Sequence, residues 1–211
     1  MSLVVGCPRC RGVVTEHQQE WACVDHGPTP PLWRPGEASY ESFTAHLGAA
    51  GTFPTYVPWP MGPDWQVSDF AVVGASPEQA CATMACTSGT SRLDGPVDVF
   101  VVTEEAGTGL GSRVAGTGGR DPGPEVRDGT PVARVRLGRT AVPLWVVSAG
   151  RTDEEFDRFV VVGEAEGRWL WIVLRPASAV LLLRDEWILR DLSGLGPLLV
   201  DTRFGGPRPP W

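Results

Sequence analysis

The sequence predicts an α+β fold, in which a small cysteine-rich ribbon precedes a body built on one mostly antiparallel β-sheet with few short helices. Three observations carry that expectation. From residue 66 onward the chain falls into short runs rich in Val, Ile, Phe and Trp, punctuated by Gly, Pro and Asp at hairpin spacing. Helical signals are confined to a few brief stretches. The first 34 residues carry paired cysteines but too few apolar side chains to fold unaided: Val4, Val5, Val13, Val14, Trp21, Leu32 and Trp33.

The ribbon comes first. "CPRC" at 7–10 and "CVDH" at 23–26 place Cys7, Cys10, Cys23 and His26 in the pattern C-x2-C-x12-C-x2-H. Each close pair can hold one metal ion from a tight turn, and the spacer is long enough for a hairpin that returns the second pair to the first. Three thiolates and an imidazole suit tetrahedral zinc, and four protein ligands close the shell, so a structural zinc ribbon is expected. Zinc binding supplies roughly 10 kcal/mol or more to small peptides, enough to stand in for a missing core. A redox reading of "CPRC" finds no strand–helix unit around it. Arg9, Arg11 and Arg34 are balanced by Glu16, Glu20 and Asp25, which disfavours nucleic-acid binding, and His17 falls in the spacer as an exposed side chain.

Residues 1–34 are thus read as the ribbon and 35–65 as a linker, with "GPTPPLWRPGEA" at 27–38 as a semi-rigid connector. Within the linker, "SYESFTAHLGAAG" predicts a short helix with Ser39 as N-cap, Gly48 or Gly51 as stop, and Tyr40, Phe43 and Leu47 as a buried stripe; His46 is expected at the helix edge. "FPTYVPWPMGPDW" holds four prolines, so it is read as an extended segment kept out of the sheet centre.

The body, 66–205, is a strand series. "WQVSDFAVVG" and "PVDVFVVTEE" are β-rich. "SPEQACATMACTSG" permits a helix start at Ser76, Pro77 and Gln79, or a turn followed by a strand; a strand in a meander is preferred, with Cys81 and Cys86 as small buried hydrophobes. "PVARVRLG" alternates Ala133, Val135 and Leu137 with Arg134 and Arg136, a half-exposed strand. "AVPLWVVSA" and "RFVVVGEAEGRWLWIVLRP" continue the hairpins, with Glu166-Gly167 as a tight turn and "WLWIVL" apolar on both faces, hence central. Between them, Thr152 and Glu155 in "TDEEFDR" read as a helix capping box. "PASAVLLLRDEW" predicts a short helix and "WILRDL" an edge strand. The closing residues, 206–211, are expected to form a mobile tail.

The glycine-rich loop in "EEAGTGLGSRVAGTGGRDPG", 104–123, follows a strand. Its backbone N–H groups can cradle an anion, with Ser112 and Arg113 as added donors. Its spacing is G-x-G-x-G, it lacks a phosphate-binding lysine, and Gly116 stops any helix early, so a flexible surface loop is the preferred reading.

Composition narrows the functions. The chain has no lysine: its 18 basic residues are all arginine, which removes Schiff-base chemistry and Ser–Lys dyads. The net charge of -7 opposes bulk attraction to nucleic acid or anionic lipid while permitting a local basic patch. No apolar run is long enough to span a membrane, and the start lacks the basic lead of a signal peptide, so a cytoplasmic protein is expected. The blocks "CPRC…WACVDHG", "VPWPMGPDW", "EEAGTGLGSRVAG", "PLWVV" and "VGEAEGRWLWIVLRPASAVLLLRDEWILRDL" resemble, in order and over nearly the whole chain, an uncharacterised family of small actinobacterial proteins. The resemblance implies the same N-terminal zinc ribbon; some members carry a phosphotransacetylase label, and no catalytic residues carry over.

Two functions remain. One is a non-catalytic binding or regulatory module, with nine tryptophans supplying anchors for another protein. The other is a small acyl- or phosphoryl-transfer enzyme working at 104–116, with Ser112 as donor or nucleophile, Arg113 as anion clamp, and Glu104 or Glu105 as base. A transcription-associated ribbon lacks the basic face it would need.

Overall fold

The computed structural model describes residues 3–18, 20–124, 126–147, 157–184, 187–194, 199 and 201–211. The N-terminal unit opens with β1 (Leu3–Gly6), then β2 (Val14–His17), β3 (Glu20–Cys23) and the two-residue β4 (Gly27–Pro28), and closes with β5 (Leu32–Pro35). β2, β3 and β4 form a small antiparallel sheet of their own. The strands that enter and leave the unit, β1 and β5, pair with each other, and β5 pairs onward with β7 (Gln66–Val73). Residues 27–38, expected as a connector, therefore contain a strand of the large sheet.

That sheet has eleven strands in the order β1-β5-β7-β8-β9-β13-β12-β11-β10-β14-β6. Its further members are β6 (Tyr56–Trp59), β8 (Ala82–Ser91), β9 (Gly95–Glu104), β10 (Ala133–Leu137), β11 (Thr140–Val146), β12 (Phe159–Ala165), β13 (Arg168–Arg175) and β14 (Trp187–Asp191). The β10–β14 pairing is parallel and the other strand ladders are antiparallel. Hairpin chemistry explains much of this. Glu166 and Gly167 both take positive φ, 55° and 76°, the tight turn that joins β12 to β13 with Ala165 opposite Arg168. The segment 76–91 is a 3-10 turn at Pro77–Gln79 followed by β8, as the meander requires.

β13 is the centre of the molecule. Trp171 and Val173 face one core, with Phe100, Val102, Met84 and Val114; Leu170, Ile172 and Leu174 face another, with Val99, Val101, Val135, Leu144 and Leu189. All five β13 side chains are fully buried, so "WLWIVL" is covered on both faces. The second core exists because the sheet curls: β10, β14 and β6 fold back over β9 and β13. Consequently β14, expected at an edge, lies between β10 and β6, and the proline-bearing β6 takes the edge position, where the absent N–H of Pro58 is tolerated.

Two α-helices among the described residues decorate the sheet. α1 (Tyr40–Ala50) starts at Ser39, whose side chain accepts from the Ser42 N–H in a reciprocal capping box, and stops at Gly51. Its buried side is Ser42, Phe43, His46 and Ala50, whereas Tyr40 is half exposed. The expected stripe of Tyr40, Phe43 and Leu47 is thus rotated, because Phe70 on β7 receives both Phe43 and the His46 ring. α2 (Leu110–Ala115) follows β9 and packs into the first core through Leu110 and Val114. The segment Ala177–Arg184 is a 3-10 helix over the second core. Thr152 and Glu155 lie outside the described residues.

The closing residues are not a loose tail. Trp211 is 8% exposed within the first core, and its indole N–H donates to Asp69 Oδ2 at 2.7 Å. Asp69, fully buried on β7, also takes a bidentate contact from Arg34 and an ion pair from Arg208. Among the described residues no helix is long and apolar enough to cross a membrane.

Candidate metal centre

Two tight turns build the N-terminal cluster. After β1 the chain reverses through 7–12, closed by the Cys7 N–H donating to the Gly12 carbonyl at 2.9 Å. The Arg9 N–H points at Cys7 Sγ at 3.4 Å and the Gly12 N–H at Cys10 Sγ at 3.3 Å. Gly12 has no room for more: a Cβ there would lie 3.2 Å from Cys10 Sγ. The β2–β3 hairpin then returns Cys23 and His26 to the first pair.

The four ligand atoms lie within 4.8 Å of one another. His26 Nδ1 is 3.5 Å from both Cys7 Sγ and Cys23 Sγ, and Cys10 Sγ is 3.7 Å from Cys23 Sγ. A tetrahedral ion with bonds of about 2.3 Å to sulfur and about 2.0 Å to nitrogen sets edges of roughly 3.8 Å between sulfurs and roughly 3.5 Å from sulfur to nitrogen. The cluster is a site able to hold a metal ion. Without metal, burial pushes the Cys7 thiol up to about 11. At Cys23 burial acts the same way, but hydrogen bonds from the His26 ring and the backbone of Asp25 outweigh it and bring the thiol down to about 7. Among the described residues the apolar side chains packed around the ligands are Val5, Val14 and Trp21, the last edge-on to Trp33 at 5.6 Å.

The glycine loop turns out to be the seat of this cluster. Arg9, between the first two cysteines, donates from Nε to the Thr108 carbonyl (3.1 Å) and from Nη2 to the Gly107 carbonyl (2.8 Å). Gly109, at φ 86°, lies beneath the Arg9 side chain, and a Cβ there would come within 3.0 Å of Arg9 Cγ. From α2, Arg113 donates to the Cys7 carbonyl and stacks on Trp211 at 4.6 Å.

The loop's own donors are occupied internally. Glu104 ends β9 fully buried, and its Oε2 accepts from the Leu110 N–H at 2.7 Å and the Gly111 N–H at 3.1 Å. The Gly107 N–H goes to Asp121 Oδ1 at 2.7 Å and the Thr108 N–H to the Glu105 carbonyl at 3.2 Å. The cradle expected for an external anion therefore holds the chain's own carboxylate, and the stretch is packed rather than a flexible surface loop. Burial raises the Glu104 carboxyl to about 7 even though the Gly111 and Leu110 N–H groups oppose the rise. Ser112 is buried with no hydrogen-bond partner for its hydroxyl, Glu105 is exposed, and Arg113 points to Cys7. Ser112, Arg113, Glu104 and Glu105 thus do not turn toward a common point.

Elsewhere, His46 is a core residue rather than a helix-edge one. It is 1% exposed, stacked on Phe43 at 5.3 Å, with Nε2 3.0 Å from Thr55 Oγ1, and burial depresses it to about 3. His17 is exposed on β2. Cys86 is fully buried and Cys81 partly so; burial raises both thiols. The tether role of Arg9 and the capping role of Glu104 were missed from sequence. An acid at a strand end just before a glycine run hints at the second; nothing local marks the first.

Residues 1–210 match the family described as "Family of unknown function (DUF6758)". No curated protein and no solved structure matches the chain.

Proposed function

We propose, for a chain that belongs to the family of unknown function DUF6758, that it is a zinc-binding protein acting by binding rather than by catalysis. Cys7, Cys10, Cys23 and His26 would hold one structural zinc as a ribbon, and the β-rich body would serve as a binding or regulatory module whose partner is another protein. The observation that carries the reading is that three of the six spacings between the ligand atoms, 3.5, 3.5 and 3.7 Å, match the edges of a tetrahedron around zinc, and all four atoms lie within 4.8 Å of one another. Four protein ligands leave such an ion no open position for water or substrate. Thiols kept for metal suit a reducing compartment, so a cytoplasmic location belongs to the same proposal. The alternative, acyl or phosphoryl transfer at 104–116, is weakened by the internal use of the loop donors by Glu104 and Asp121.

Elemental analysis of carefully prepared protein should find one zinc per chain, or uptake of one on titration. Well under half an equivalent with no uptake would refute the metal assignment. Cys23→Ser should abolish that zinc while the far-ultraviolet spectrum of the sheet persists. Reproducible turnover of acetyl phosphate or a simple acyl ester, lost in Ser112→Ala with the fold intact, would replace the binding reading with the enzymatic one.

A further inference from the structure

Beside the metal cluster, on the far side of Arg113, is a cleft of about 480 Å³ lined by Cys10, Arg11, Arg113, Arg158, Arg175 and Trp211, with Asp157 at its rim. Its charge is unusual for a chain of net charge -7. Among the described residues four guanidiniums meet one carboxylate, and Asp157 is already engaged by Arg158 at 2.5 and 3.2 Å.

Among the described residues the other three arginines make no direct ion pair with a carboxylate, although Arg175 stands opposite Asp98 on β9 and is influenced by Asp98 and Asp157. Arg113 donates to the Cys7 carbonyl and Arg175 to the Pro210 carbonyl, neutral acceptors that fix direction without cancelling charge. Both are also held by ring faces, Arg113 on Trp211 at 4.6 Å and Arg175 over Phe100 at 5.7 Å. Arg11 is exposed at the mouth. Converging cations repel one another, and more so where water is partly excluded. A fold that orders Arg113 and Arg175 through neutral carbonyls and ring faces leaves much of that repulsion uncancelled. A dianion removes it and gains charge-assisted, potentially bidentate hydrogen bonds.

We infer that this cleft is a binding site for a phosphate group. A tetrahedral dianion matches three or four guanidiniums better than a single carboxylate does. The volume exceeds what one phosphate fills, so the ligand class is a phosphate monoester of a small organic molecule. The inference deepens the binding-module reading by naming its ligand class. It takes the Arg113 side chain from the end of the glycine-rich stretch but none of that loop's backbone N–H groups at Gly107, Leu110 and Gly111, which are occupied.

The test is calorimetric titration of the full, zinc-loaded chain at constant ionic strength with inorganic phosphate, glycerol phosphate and, as control, chloride. Saturable 1:1 binding of both phosphates is expected, with Arg175→Gln and Arg11→Gln each weakening it by about tenfold or more. Tighter binding of glycerol phosphate would assign the site to esters, and equal binding to free phosphate. Arg11→Gln alters only an exposed side chain, so it stays informative if the Arg175 variant folds poorly. Absence of saturation by either phosphate up to about 10 mM, or unchanged affinity in both variants, would overturn the proposal. Zinc content and acetyl phosphate turnover, measured on the same samples, separate failure of this site from failure of the binding-module reading: a zinc-free or catalytic protein can still bind phosphate, and a zinc-loaded inert one can fail to.

Discussion

Glu104 shows how one buried side chain can look functional from its surroundings and be structural in its contacts. Its carboxylate caps the first turn of α2, with two backbone N–H groups on one oxygen and no partner on the other. Burial lifts it from an ordinary 4.5 to about 7. The folded state therefore holds a proton that the unfolded state has lost between those two values, and this group's contribution to stability falls as pH rises through that window. Glu104→Gln keeps an acceptor for Leu110 and Gly111 and removes the charge. It should flatten the stability–pH profile between about 4.5 and 7 relative to the parent and match or exceed the parent near pH 8. Urea unfolding of both proteins across that range checks it, and parallel profiles would refute it. His46 works with the opposite sign: depressed to about 3, it removes stability as pH falls from 6.5. The parent–variant difference is the needed quantity because it cancels that term.

At the level of elements, the cysteine knuckle, the glycine loop and α2 form one hydrogen-bonded unit. The knuckle supplies Arg9, the loop supplies carbonyls at Gly107 and Thr108, and α2 supplies Arg113 to the Cys7 carbonyl. Tight φ > 0 turns at Gly107 and Gly109 are what aim those carbonyls outward at Arg9. Residues that orient first ligands typically alter metal affinity by roughly 10–100-fold when removed. For the zinc proposed above, Arg9→Ala should accordingly speed release to a competing chelator about tenfold while retaining one equivalent at rest. A release rate equal to the parent's would show that the knuckle does not depend on its seat. α1 is coupled more simply: the capping box sets its start, and Phe43 and His46 lock its rotation onto Phe70.

Across the whole molecule, one buried carboxylate ties the two ends of the chain to the sheet. Asp69 on β7 receives Arg34 from β5, Arg208 and the Trp211 indole. Trp211 in turn lies between Arg34, at 4.3 Å, and Arg113, at 4.6 Å. Asp69→Asn leaves two arginines uncompensated around a fully buried position. Removing one member of such a pair typically costs about 3–5 kcal/mol, so the variant's urea midpoint should fall sharply and its last five residues should become open to carboxypeptidase. An unchanged midpoint would mean the network is incidental.

Several features were legible in the sequence because local chemistry determines them. The clustering of Cys7, Cys10, Cys23 and His26, the Ser39 cap, the Glu166-Gly167 turn, the alternation of Val135 and Leu137 with Arg134 and Arg136, and the two-faced burial of "WLWIVL" each depend on near neighbours or on a period that burial imposes. What only the tertiary structure decided depends on contacts distant in sequence. β14 is interior because the sheet curls and β6, some 130 residues earlier in the chain, pairs with its free edge. The tail is fixed because Trp211 reaches an aspartate 142 positions away. The glycine loop is packed because Glu104 takes its N–H groups and Arg9 its carbonyls, the latter from 98 and 99 positions away. Periodicity and turn residues report which backbone conformation is cheap. They carry no information about which distant surface will supply the hydrogen-bond partner, and that partner is what turned an apparent phosphate cradle into a support for the cysteine–histidine cluster.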